Sequence, residues 1–203
     1  MIESHRSILV AATLAVAMLC GGAQTSAVTP GVDAAGGRTT VPSAAVITAA
    51  DISSAVKRLS PKFTDDEPLR VVEAGANRLG VFVVGRPKKT GPPQTESGGA
   101  VRVTEGLQLE QVSAVLHVLG GAGTFVAGGT LVNPQRMRPN DPDAEVIGAG
   151  SRASAILGGR SRRISVGDTV IVPAGMPHGF SEIESPITYL VIRVDTGGSL
   201  PLK

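Results

Sequence analysis

The stretch Gly167 to His178, GDTVIVPAGMPH, decides how the rest of this chain is read. Asp168 to Val172 alternates and is rich in Val, Ile and Thr, which predicts a strand with two different faces. Pro173 fixes its own φ, and Gly175 supplies the positive φ that a tight turn needs. Pro177 then stiffens the step into His178. A histidine pinned on both sides loses little entropy when it meets a ligand, so His178 is the first candidate site residue.

Outward from this stretch, the 203 residues contain 26 Gly and 14 Pro but only four Phe, one Tyr and no Trp. That mixture suits short strands joined by turns better than a helical bundle. A net charge of +2 is too small to call for nucleic acid or a membrane surface, and aromatics are too few for a base-stacking platform. The start of the chain has its own logic. His5 and Arg6 precede the apolar run ILVAATLAVAMLC, and small residues follow, so residues 1–27 are expected to form a secretory signal peptide, with cleavage after Ala23 or Ala27. This places the mature protein outside the cytoplasm, secreted or periplasmic, with no membrane anchor left. Cys20 is the only cysteine and leaves with the signal, so no thiol chemistry or disulfide is expected.

Residues 28–45 are Gly, Pro, Thr and Ala without an apolar period and predict a linker. The folded domain then runs over 46–203. Thr48 is placed to cap a helix from Ala49 to Leu59 with Ile52, Val56 and Leu59 on one stripe, a lid or brace for a sheet. Strands are predicted at Leu69–Glu73 and Leu79–Val84 around a turn at Gly75–Asn77, and at Ala100–Thr104. A second hairpin, Val112–Leu119 with Gly123–Val132, is predicted about Gly120 and Gly121. Further strands are predicted at Ser154–Leu157, Ile164–Val166, Thr169–Val172 and Ile187–Val194. Residues 85–99 and 133–148 are rich in turn formers and predict loops. The acids Asp141, Asp143 and Glu145 in the second loop lack a calcium-loop spacing and contain Pro142, so they predict a solvated turn.

Gly167, Pro173, Gly175 and His178 carry a resemblance. Gly, five residues, Pro, one, Gly, two, His is the second motif of the cupin superfamily. The resemblance implies an all-β fold, one cupin-type jelly-roll barrel with the short helix before it, and a histidine that usually binds metal inside the barrel. It also implies a homodimer. Cupins carry an earlier motif of two histidines, a glutamate and a glycine. Gly121 matches the glycine, and counting back puts Ala114 at the glutamate. The histidine positions fall on Leu107 and Leu109, or on Gln108 and Glu110 in the shorter spacing.

Neither register supplies a histidine. In one, His178, Leu107, Leu109, Ala114 and Phe180 form an aliphatic and aromatic pocket for a small molecule, with no cofactor. In the other, His178, Glu110 and Gln108 form a weak site for a divalent transition metal. Alternation across Leu107 to Leu109 favours the first. The functional expectation is an exported barrel that binds a small molecule. The alternative is a cupin-type dioxygenase, isomerase, epimerase or lyase. His117 lies an odd number of residues from Ala114 and is expected to face away from the cavity. Arg160, Arg162 and Arg163 are expected in a solvated turn or a subunit contact.

Overall fold

The computed structural model describes residues 44–202, apart from 90–94, 97, 139 and 140, and nothing is placed for the side chain of Asp143. The signal-peptide reading and almost all of the linker reading fall outside the described residues.

The first element is α1 (Ala49–Arg58). Thr48 caps it through a capping box: the Thr48 side chain accepts from the Asp51 amide at 3.1 Å, and the Asp51 carboxylate accepts from the Thr48 amide at 2.8 Å. Its buried centre is Ala55, with no exposed surface, and not the expected stripe, because Val56 is 38 % exposed. The helix packs on the outside of β1 (Asp65–Ala74) and β2 (Asn77–Arg86), which turn about Gly75. It packs closely enough that a Cβ at Gly85 would meet the Leu59 side chain at 3.0 Å.

After β3 (Ala100–Leu109) the structure departs from the expected hairpin. Residues Val112–Ala127 form one continuous strand, β4, that bends and does not reverse. Gly121 (φ +77) lies opposite a register shift in the last strand, against Pro186. A Cβ on Gly121 would come within 2.0 Å of the Pro186 carbonyl oxygen. The two glycines therefore mark a barrel corner, where a strand must pass close to its neighbour's backbone. Strands β5 (Thr130–Leu131) and β6 (Gln135–Arg136) follow. Where a structureless loop was expected, a six-residue helix, α2 (Pro142–Ile147), turns Ile147 into a small cluster with Leu109, Val112 and Met137.

The chain continues through β7 (Gly150–Leu157), β8 (Arg160–Ser165) and β9 (Thr169–Val172) to β10 (His178–Asp195). β10 is twice as long as its apolar run suggested, because its first half holds polar residues that still pair. It joins β4 over nearly its whole length. On the other edge of β10, the N-terminal half pairs with β3 and the C-terminal half with β2. β4 likewise pairs with β9 through its first half and β8 through its second. Two long bent strands thus link a β1-β2-β10-β4-β9 sheet to a β5-β7-β3-β10-β4-β8 sheet, all antiparallel. This is a single jelly-roll barrel. Its interior holds Phe82, Leu116, Val118, Phe125, Phe180, Ile187 and Val191.

Candidate functional site

The barrel encloses a cavity of about 420 Å³. β9 and the Pro173–Pro177 corner deliver His178 to its wall at the first residue of β10. The imidazole Nδ1–H donates to the Met176 carbonyl at 3.0 Å, two residues back around the corner. A carbonyl can only accept, so the proton is on Nδ1 and Nε2 keeps its lone pair. The ring also lies 5.9 Å from Phe125. Burial pushes its pKa down from the ordinary 6.5 to about 4; the Met176 bond resists this, and the charges of Arg86 and Arg193 add to it.

Leu107, Leu109, Ala114 and Phe180 line the same cavity as His178. The structure does not bring Gln108 and Glu110 to it. Gln108 donates from Nε2 to the Gly175 carbonyl at 3.0 Å, and Glu110 is exposed and pairs with Arg136 at 3.0 Å. One residue of register separates the two sets, and β3 presents the leucines. His117 is exposed on the outer face of β4, its Nδ1 3.0 Å from Thr169 Oγ1. Arg160, Arg162 and Arg163 lie exposed along β8, a strand and not a turn, and Arg163 forms a bidentate pair with Glu184 at 2.8 Å.

Sequence reasoning missed the charged part of the wall. Arg86, from the end of β2, is 8 % exposed. Its Nε donates to the Tyr189 hydroxyl at 3.0 Å and its Nη1 reaches Glu105 at 2.9 Å. Burial works against the Arg86 charge, but Tyr189 and Glu105 outweigh it and raise its pKa above the ordinary value. Arg193, 6 % exposed, makes a two-point ion pair with Asp66 and lies 4.2 Å over the Phe82 ring. For Arg193 alternation carries a signal, readable once the inward face of its strand is known. Ile187, Tyr189, Val191 and Arg193 share one face of ITYLVIRV, and an arginine on an otherwise apolar inward face is a site signal.

A divalent metal at His178 would need further donors. Among the described residues no three His, Cys, Asp or Glu side chains gather to hold one. Of the cavity carboxylates, Asp66 and Glu105 are engaged by guanidinium groups, and Asp65 accepts from the Ser60 and Asp66 amides at 2.8 and 3.0 Å; the two cations also lower the pKa of the imidazole itself. Leu107, Leu109 and Ala114, which line the wall beside His178, carry no donor atoms in their side chains. These residues do not fit the transition metal that the resemblance implies.

Fold and cavity define a single antiparallel jelly-roll barrel whose interior is lined by both apolar and charged side chains. No protein-family model and no curated protein sequence matches the chain. Similar solved structures include the DMSP lyase DddQ of Ruegeria pomeroyi DSS-3, at 18 % identity over 70 % of this chain and 53 % of the lyase, TM-score 0.38. The polyketide cyclase RemF of Streptomyces resistomycificus is 17 % identical over 66 % of each chain, TM-score 0.35. The EutQ protein of Clostridium difficile is 11 % identical over 66 % of this chain and 69 % of that one, TM-score 0.35. The chain spans about half the length of the lyase.

Proposed function

We propose that this chain is an exported cupin-like barrel that binds a small, partly apolar molecule in its cavity without a metal, as a homodimer. The observation that carries the reading is a neutral His178 at the cavity wall beside leucine and alanine, which stand at the positions the resemblance gives to metal donors. Phe125, Phe180, Leu116 and Val191 offer apolar surface to the body of a ligand, and His178 offers a polar anchor. Export rests on the pattern of residues 1–27 alone. Metal analysis of protein purified without chelator is expected to find no stoichiometric Fe, Mn, Ni, Cu or Zn; a full equivalent abolished by His178→Ala sinks the metal-free reading.

The unprotonated Nε2 supports a second reading, an enzyme in which His178 removes a proton from a bound substrate as general base, as an isomerase, epimerase or lyase would require. Arg86 and Tyr189 would then stabilise developing negative charge. Glu110 has no part in this, since it lies outside the wall. Turnover that disappears in His178→Ala, with the thermal transition unchanged, selects this reading; turnover that survives removes it.

A further inference from the structure

We infer that the cavity is built for an uncharged ligand with an aromatic or alicyclic body and a hydroxyl or amide N–H that donates to His178 Nε2. The inference deepens the binding reading above and rests on it.

Charge is the first support. Among the described residues, three arginines (Arg86, Arg152, Arg193) and three acids (Asp65, Asp66, Glu105) line the cavity, and their formal charges sum to zero. The two deeply buried guanidiniums already have carboxylate partners supplied by the protein. A ligand bringing a net charge into this enclosure would displace one of those partners or remain uncompensated. The second support is the direction of the free hydrogen-bonding groups. Nδ1–H of His178 is taken by Met176, so the ring meets the cavity as an acceptor. The Tyr189 oxygen accepts from Arg86, which leaves its own O–H as a donor. Thr64 Oγ1 also accepts from Arg86, at 3.4 Å, so the neutral side chains described in the wall present the His178 acceptor and two hydroxyl donors.

The third support is where the rings are. Only five aromatic residues occur in the whole chain, and four of them, Phe63, Phe125, Phe180 and Tyr189, line this one cavity. His178, Phe125, Phe180 and Tyr189 form a row with successive centroids 5.9, 5.2 and 6.3 Å apart. Phe63, 62 % exposed, stands at the rim. Phe125 and Phe180 meet edge to face at 73°, so the row offers an apolar body both ring faces and ring edges to pack on.

Four naphthalenes that share one body and differ in one substituent test this by calorimetry at pH 7: 2-naphthylmethanol, 2-naphthoate, 2-naphthylmethylammonium and 2-methylnaphthalene. The sole tyrosine is in the wall and the chain has no tryptophan, so quenching of tyrosine emission reports whether each probe reaches the cavity. The alcohol is expected to bind about tenfold more tightly than any of the other three. His178→Phe and His178→Gln are both expected to reduce its advantage over 2-methylnaphthalene, with the phenylalanine variant removing it. Equal or tighter binding of the naphthoate or the ammonium overturns the neutral-ligand inference and leaves the binding reading standing. An alcohol no better than 2-methylnaphthalene overturns the hydrogen-bonding part. No binding and no quenching by any probe removes the binding reading itself.

Discussion

His178 holds its proton on the nitrogen that faces its own backbone, and its depressed pKa links the site to stability. The unfolded chain takes up a proton near the ordinary 6.5, while the folded ring waits until about 4. Between those values the unfolded state binds more protons, so stability falls as pH falls, by on the order of 2–3 kcal/mol. Urea midpoints measured between pH 7.5 and 4.5 are expected to show this slope in the wild type and a shallower one in His178→Gln; identical slopes refute it. The two buried ion pairs differ in how much each depends on its acid. Asp66, with only 18 % of its side chain exposed, is the counter-charge of Arg193, and Asp66→Asn is expected to cost about 3–5 kcal/mol. Glu105 is 47 % exposed, and Tyr189 still holds Arg86 without it, so Glu105→Gln is expected to cost about 1–2 kcal/mol. Equal losses in chemical denaturation would show that burial of the acid does not govern the pair. His178 was legible in the sequence because its rigidity is local. Arg86, Arg193 and Tyr189 were not, because an inward arginine announces itself only when the strand's face is known.

At the scale of the element, β4 and β10 do the most to shape the molecule. Reading Gly120–Gly121 as a hairpin was reasonable, since a glycine pair between two β-branched runs usually reverses a chain. The structure shows a bend because Pro186 of β10 passes directly across Gly121, a long-range contact that no window of sequence contains. Gly121→Ala is expected to cost about 3 kcal/mol or more, through both the left-handed backbone and the clash with the Pro186 carbonyl. Gly120→Ala, with nothing within 4 Å of its Cβ and no positive φ, is expected to be close to neutral. Comparable denaturation midpoints for the two variants would contradict the corner. The turn at Gly75, the cap at Thr48 and strand β9 were legible as they stand, because each is fixed by residues adjacent in the chain.

At the scale of the whole molecule, an apolar row lies on the outer face of the barrel among the described residues. Ile171 of β9, Val115 of β4 and Ile192 of β10 lie side by side in register, with Ile171 70 % and Ile192 37 % exposed. Such a row on an outer sheet face is where the proposed homodimer would pair. Ile171→Asp with Ile192→Asp is expected to convert a dimer to a monomer in sedimentation velocity; a wild type that is monomeric at all concentrations refutes the pairing. The sequence by itself determined a strand-rich chain, the rigid corner before His178, and two alternative registers for the strand through Leu107, because periodicity and turn chemistry act over a few neighbouring residues; the barrel came from the resemblance. Only the tertiary structure decided which register faces inward, which arginines and acids close the cavity to zero charge, and where the long strands bend. Those outcomes depend on residues a hundred positions apart meeting across the sheet, as Asp66 meets Arg193.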